Sequence, residues 1–165
     1  MKPILFILCL IVAGEARSQK LHAYSQRIVP GTRQATFDKD GNLNMEKRKE
    51  IWQHPLYLER PAGKDIRVTE VWLNGERYAF DTATVKGPVV EETGLSVPGQ
   101  SGKILIPSTD KKILHIMLKG KIDVTDKNKR KITGRKKVVV YYTRNGKTCY
   151  RSSNKIQELQ EMLMQ

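Results

Sequence analysis

The feature that most constrains the fold of this chain is the dipeptide Asn74-Gly75, which separates the β-rich runs IRVTEVWL and ERYAFDTATV. A two-residue type I′ turn needs positive φ at both central residues, and Asn-Gly tolerates this well. Counting outward from the turn predicts five cross-strand pairs: Leu73 with Glu76, Trp72 with Arg77, Val71 with Tyr78, Glu70 with Ala79, and Thr69 with Phe80. One face of this hairpin is then apolar, with Val71, Leu73, Tyr78 and Phe80, and the other carries Glu70, Trp72, Arg77 and Asp81.

A second Asn-Gly turn, Asn145-Gly146, predicts another hairpin between residues 138–142 and 148–151. Counting outward predicts the pairs Arg144 with Lys147, Thr143 with Thr148, Tyr142 with Cys149, and Tyr141 with Tyr150. Residues 113–118 (ILHIML) are largely apolar on both faces, which indicates an interior strand covered on both sides. Residues 153–165 (SNKIQELQEMLMQ) predict a C-terminal helix, because Ile156, Leu159 and Leu163 recur at helical spacing after a capping Ser153 or Asn154.

The spacing of turn signals predicts a mainly β fold, an antiparallel β-sandwich or a partly open barrel with a C-terminal α-helix. Parallel βαβ units would need helices between strands, and the sequence shows none there. Residues 44–53 (NMEKRKEIWQ) fit either a short helix capped by Asn44 or the second strand of a hairpin that turns at residues 38–41.

The N-terminal residues 1–18 read as a secretory signal peptide. Lys2 is followed by the apolar run ILFILCLIVA and by the small residues Gly14, Ala16 and Ser18. We therefore expect residues 19–165 to form a single β-rich domain with no transmembrane segment after processing. The expected localisation is outside the cytoplasm, whether periplasmic, envelope-associated or secreted.

The charge is strongly unbalanced, with 30 Lys and Arg against 17 Asp and Glu and a net charge of +13. Such an excess favours an anionic partner. For an exported protein the expected partner is an anionic envelope component or an acidic protein, and simple solubility is the alternative explanation. Nucleic acid is a less suitable partner, because the basic region 119–137 has no aromatic residue on which bases could stack.

The candidate surface for an anionic partner consists of the cations of this basic region: Lys119, Lys121, Lys127, Lys129, Arg130, Lys131, Arg135, Lys136 and Lys137. A solvated strand edge that blocks aggregation is the competing interpretation. Trp72 opposite Arg77 is a candidate aromatic contact, which could stack on a sugar ring if the indole is exposed. Burial of Trp72 under other elements is the alternative.

No catalytic, cofactor-binding or metal-binding residue is predicted. The spacing of Asp38, Asp40 and Asn42 is superficially like a calcium loop, but the glycine falls at the fourth position and Lys49 stands where a bidentate Glu is needed. Cys149 could act as a nucleophile with a histidine, although its surroundings do not indicate a reactive thiol. The histidines are His22, His54 and His115.

The sequence therefore predicts a non-catalytic binding or envelope-associated module with a basic surface. The alternative is a small secreted hydrolase or transferase that carries no recognisable motif. A pocket in which histidine and carboxylate side chains meet would favour this alternative.

Overall fold

The structure, a computed structural model, describes residues 19–29, 36–37, 39–40, 43–44, 51–60, 65–94, 102–124 and 133–163. The predicted signal peptide lies outside these residues. The described chain is mainly antiparallel β structure with almost no helix. Its strands are β1 (Leu21–Val29), β2 (Thr36–Phe37), β3 (Leu43–Asn44), β4 (Ile51–Gln53), β5 (Leu56–Arg60), β6 (Ile66–Leu73), β7 (Glu76–Val85), β8 (Val89–Val90), β9 (Ile104–Ile106), β10 (Lys112–Ile122), β11 (Val138–Arg144), β12 (Lys147–Ser153), β13 (Gln157–Glu158) and β14 (Met162–Leu163).

Ten strands form one sheet in the order β12-β11-β6-β7-β10-β5-β1-β13, and β4 and β14 also pair with β1. Two short antiparallel ribbons, β2–β3 and β8–β9, complete the described strands. The pairings of β1 with β13 and β14 are parallel, whereas β1 pairs antiparallel with β4 and β5. A two-sheet sandwich is not confirmed.

Both Asn-Gly turns form as predicted. Asn74 and Gly75 have φ of 51° and 78°, and Asn145 and Gly146 have φ of 51° and 73°, which are the left-handed values that a type I′ turn needs. The register confirms seven of the predicted pairs: Leu73 with Glu76, Trp72 with Arg77, Val71 with Tyr78, Arg144 with Lys147, Thr143 with Thr148, Tyr142 with Cys149, and Tyr141 with Tyr150. The register of β6 with β7 ends at Val71 and Tyr78, so the predicted pairs Glu70 with Ala79 and Thr69 with Phe80 are not confirmed.

One face of the sheet carries a large apolar cluster, which we call the inner cluster. Its residues come from β1, β5, β6, β10 and β11. They are Ala23, Leu56, Leu58, Ile66, Val68, Val71, Leu73, Leu114, Ile116, Val138, Val140 and Tyr142. Gln19, just before β1, also reaches the other end of the sheet, because the hydroxyl of Tyr142 donates to its side-chain oxygen and Arg151 Nε donates to its carbonyl at 3.2 Å. The sheet therefore curves around the inner cluster.

The opposite face of β1, β5 and β10 carries a smaller apolar group, which we call the outer cluster. Its members are Tyr24, Tyr57, Val89, Ile106, Ile113 and Leu159. Val89 and Ile106 come from the β8–β9 ribbon, and Leu159 comes from the segment between β13 and β14. β10 therefore contributes to apolar clusters on both of its faces, as the sequence of residues 113–118 predicted.

The predicted C-terminal helix is wrong. Residues 154–163 run in an extended path, and their backbone bonds other segments: Leu159 N donates to Ser25 O at 2.9 Å and Leu163 N donates to Thr93 O at 3.2 Å. Ile156 packs against the inner cluster and Leu159 belongs to the outer cluster. The apolar spacing that suggested a helix thus reflects an extended segment that contacts two different cores.

The ambiguous stretch 44–53 is only partly described. β2 pairs with β3 in register Phe37 with Leu43, which agrees with a hairpin that reverses near residues 38–41. Ile51–Gln53 forms β4 on the edge of β1. Residues 45–50, on which the helical alternative depended, lie outside the described residues.

Candidate functional site

The first candidate site is one end of the sheet, around the Asn74-Gly75 turn. Asn74 N donates to Lys137 O at 2.7 Å, so the turn and the residues before β11 lie together. The C-terminal end of β10 also lies beside this turn, because Ile122 is in register with Arg77 and Lys121 with Tyr78. We call this region the basic end; its described cations are Arg77, Lys119, Lys121, Arg135, Lys136 and Lys137.

The cations of the basic end differ in their surroundings. Lys119 Nζ lies 2.6 Å from a carboxylate oxygen of Asp81, and Lys121 Nζ lies 2.5 Å from one of Glu76. These pairs are solvent-exposed, so they contribute little to stability, yet they reduce the local positive charge. The side chains of residues 135–137 are also exposed, and they add three positive charges to this end. Lys127, Lys129, Arg130 and Lys131 lie outside the described residues.

The structure places Trp72 away from solvent. Its side chain is 1% exposed, and its Nε1 donates to Glu70 Oε2 at 3.0 Å. Trp72 and Arg77 do face each other across the hairpin, but a buried indole offers no stacking surface to a sugar. The indole that is exposed belongs instead to Trp52 on β4, at 42%.

The residues considered for nucleophilic catalysis are on different faces of the sheet. Cys149 packs against the inner cluster, and its Sγ contacts Lys147 O at 3.8 Å. His22 and His115 lie on the outer face, since His22 bonds Glu59 and His115 stacks on Tyr57. The described contacts therefore bring no histidine to Cys149.

A charged trio lies on the outer face of β5. Glu59 is 7% exposed and contacts His22 Nε2 at 2.7 Å and Lys111 Nζ at 3.1 Å. Burial raises the pKa of Glu59, but the hydrogen bonds and charges of His22 and Lys111 lower it by more, so the net pKa is below the ordinary value. These contacts describe a satisfied buried carboxylate rather than a reactive one.

The second candidate site is a cavity of about 360 Å³ beside the outer cluster, which we call the histidine cavity. Its walls come from β1, β4, β5, β7, β10 and the segments around β8, β9 and β14. His54 and His115 both line it, together with Tyr57, Glu92 and the exposed Trp52. The rings of Tyr57 and His115 stack with centroids 4.6 Å apart and planes 18° apart.

Burial sets the protonation of the two cavity histidines. It lowers the pKa of His54, and it lowers that of His115 against an opposing effect of the Glu92 charge. Both imidazoles are therefore neutral at pH 7, each with one donor and one acceptor nitrogen. Burial also raises the pKa of Tyr57, and the charges of Glu92 and Tyr24 raise it further, so its hydroxyl stays protonated.

Sequence reasoning missed the histidine cavity, because its residues come from separate segments and form no local motif. Within the described ranges, no group of three or more His, Cys, Asp or Glu is placed to hold a metal ion. The same residues include no helix with the length and apolar character needed to cross a membrane. Comparison with protein-family models, with curated proteins and with solved structures finds no match to this chain.

Proposed function

We propose that the protein is an exported, non-catalytic binding module whose basic end takes an anionic envelope component, such as an acidic polysaccharide or glycolipid. The observation that carries this proposal is the meeting of two separate cationic stretches, the end of β10 and residues 135–137, at the Asn74-Gly75 turn. Both flanks of the basic segment thus reach one surface, where their fields add.

The exposed cations at residues 135–137 favour a polymeric ligand that carries a repeating series of negative charges. Arg135, Lys136 and Lys137 are exposed neighbours, and such side chains adapt to a repeating series of sulfates, phosphates or carboxylates. Their interaction is screened by salt, because the Debye length is only about 8 Å at physiological ionic strength. Binding through the basic end should therefore weaken steeply as salt is added.

The test is retention on heparin and on immobilised lipid A, followed by elution with a salt gradient. The variant Arg135→Gln/Lys136→Gln/Lys137→Gln should elute at clearly lower salt than the unaltered protein. The matched control is Lys86→Gln/Lys103→Gln/Lys155→Gln, which removes three exposed cations from other places and changes the net charge equally.

An equal shift for both triple variants would show that net charge alone governs retention, and would contradict a defined basic end. Retention no stronger than that of a neutral protein of the same size would also contradict the proposal. Retention on neither matrix, with capture by an acidic protein, would replace the envelope component with the acidic protein as partner.

A second candidate function, a small secreted hydrolase or transferase, is favoured by the histidine cavity, which His54, His115 and Glu92 all line. A neutral imidazole can act as a general base toward water, and no cysteine or serine lines the described cavity. The test is turnover of chromogenic carboxylic and phosphate esters by the purified protein and by His115→Asn. Turnover that His115→Asn abolishes would support catalysis, and equal turnover by both proteins would reject it.

A further inference from the structure

Gln19 is a buried residue at the predicted start of the processed chain. It is 4% exposed. The chain is held in the sheet from the next residue onward, because Glu59 N donates to Lys20 O at 2.9 Å. Cleavage of the predicted signal peptide after Ser18 makes Gln19 the first residue. The new α-amine then belongs to a residue that the fold holds in place.

The polar groups of Gln19 are unequally satisfied. Its side-chain Oε1 accepts a hydrogen bond from the hydroxyl of Tyr142, which is 2% exposed, and its main-chain oxygen accepts one from Arg151 Nε at 3.2 Å. Its Nε2 is shielded from solvent and has no hydrogen-bond partner among the described residues. A buried amide nitrogen of this kind destabilises the fold unless it is hydrogen-bonded.

A free α-amine on Gln19 would add a second unfavourable group. Such an amine is largely protonated at pH 7, and a charge next to buried groups is costly unless it is paired. The described side chains that hydrogen-bond Gln19 belong to Tyr142 and Arg151. Arg151 is itself a cation, so it repels an ammonium on the same residue.

We propose that Gln19 of the processed protein is a modification site and is converted to pyroglutamate. The neutral α-amine nitrogen attacks Cδ of its own side chain, and the new N–Cδ bond closes a five-membered lactam. The Cδ–Nε2 bond breaks, and Nε2 takes a proton from the amine and leaves as ammonia. The reaction is intramolecular and needs no oxidant, reductant or second substrate.

The lactam fits this site better than the open residue does. It keeps Oε1 and the main-chain oxygen, which are the two acceptors that Tyr142 and Arg151 use. It loses Nε2, the atom without a described partner, and it removes the positive charge of the terminus. This inference rests on the export in the proposed function, and in particular on cleavage after Ser18.

The test is mass spectrometry of the protein after export. The full chain is expressed with its own residues 1–18 in a bacterial host, and the exported form is purified. Free amines are labelled before digestion, so that cyclisation during preparation cannot be mistaken for the modification. The intact chain should be lighter than encoded residues 19–165 by one ammonia, and the N-terminal peptide should carry no label on its first residue.

Two substitutions separate the modification from other losses of ammonia. Gln19→Asn is one methylene shorter and cannot close a five-membered lactam, so its α-amine should stay open and labelled. The matched control is Gln157→Asn, which alters an exposed glutamine inside the chain and should be cyclised like the unaltered protein. Locating the loss in the N-terminal peptide also separates it from ammonia loss at the two Asn-Gly turns.

The burial of the lactam has its own readout. Pyroglutamyl aminopeptidase removes an accessible N-terminal pyroglutamate. The native protein should resist this enzyme, because Gln19 is bonded to Tyr142 and Arg151, whereas the N-terminal peptide cut from the same protein should be a substrate. Equally fast removal from both would contradict a lactam seated at Tyr142.

An open, labelled amine on Gln19 would overturn the inference, and so would a processed chain that begins at another residue. Both results leave the salt-dependent retention by the basic end intact. A chain that reaches the exterior with residues 1–18 still attached would overturn it as well. A chain that is never exported would contradict the proposed function too, so the two failures are distinguishable.

Discussion

Glu59 is a buried carboxylate that depends on the charges of its neighbours. It contacts His22 at 2.7 Å and Lys111 at 3.1 Å, and it is 7% exposed. Hydrogen bonds to a charged group contribute about 1.5–3 kcal/mol when both partners are in place. This trio joins β1 and β5 to the residue that precedes β10, so it links three parts of the outer face.

Replacing Glu59 by Gln should lower the free energy of unfolding by about 1–2 kcal/mol at pH 7, because the charge-assisted bonds are lost. The folded-state pKa of Glu59 is below its unfolded value of about 4.3. The ionised form therefore stabilises the fold above about pH 4.3, and this stabilisation is lost as the pH falls through the folded-state pKa. Urea unfolding of both proteins at a series of pH values measures the difference.

The control for Glu59→Gln is Asp65→Asn. Asp65 pairs with Arg60 at 3.6 Å, but its side chain is fully exposed, so the substitution should cause no measurable change at any pH. A stability difference for Glu59→Gln that stays constant down to pH 2 would contradict the proposed linkage to ionisation.

The two tryptophans show what residue-scale reasoning can predict. The sequence placed Trp72 on the polar face of a hairpin, and the pairing with Arg77 is confirmed. Its burial could not be read from the hairpin alone, because its other strand partner, Val139 on β11, lies 67 positions later in sequence. Trp52, which is exposed and lines the histidine cavity, lies in residues 44–53, for which the sequence left both a helix and a strand open.

At the scale of elements, the turn between β11 and β12 depends on backbone conformation alone. Gly146 has φ of 73°, and a Cβ added there would meet nothing within 4 Å. Gly146→Ala should therefore destabilise the protein by about 1–2 kcal/mol through left-handed strain. Thermal unfolding provides the measurement.

Gly120→Ala is the matched control for the turn. Gly120 also has open space around its added Cβ, and its φ is outside the left-handed region. Its substitution should be neutral or slightly stabilising, because alanine narrows the unfolded ensemble. Equal destabilisation by both substitutions would mean that the positive φ is not what the turn requires.

The extended C-terminal segment behaves as part of the core. Leu159 is buried in the outer cluster, whereas Leu163 is 40% exposed. Leu159→Ala should lower the free energy of unfolding by about 2–4 kcal/mol, and Leu163→Ala by less than about 1 kcal/mol. Urea unfolding of the two variants separates these values, and similar small effects for both would show that this segment is not required by the core.

The same segment shows where sequence patterns fail. Residues 71–78 and 142–149 folded as predicted because an Asn-Gly turn fixes its strands through local φ preferences. Residues 153–165 had helical spacing, but their backbone bonds go to Ser25 and Thr93. Such distant partners cannot be inferred from a window of neighbouring residues, and the histidine cavity was unpredictable for the same reason.

At the scale of the whole molecule, the sheet order predicts unequal protection of backbone amides. β10 lies between β7 and β5 and contributes to both apolar clusters, whereas β12 is at one end of the order. In hydrogen exchange, amides of residues 56–58 and 113–116 should be the slowest. The alternate amides of β12 that do not bond β11 should be among the fastest. Equal protection of β12 and β10 would contradict this order.

The parallel pairing of β1 with β13 and β14 sets the timing of folding. Tyr24 is in register with Gln157, and Ile28 with Met162. A ribosome releases residue 24 long before residue 157, so the nascent chain must hold β1 without these neighbours through most of translation. Contacts this distant in sequence also slow the search for the native state. The finished sheet is therefore assembled after synthesis has passed residue 162, and a stalled or prematurely terminated chain would expose the side of β1 that these strands cover.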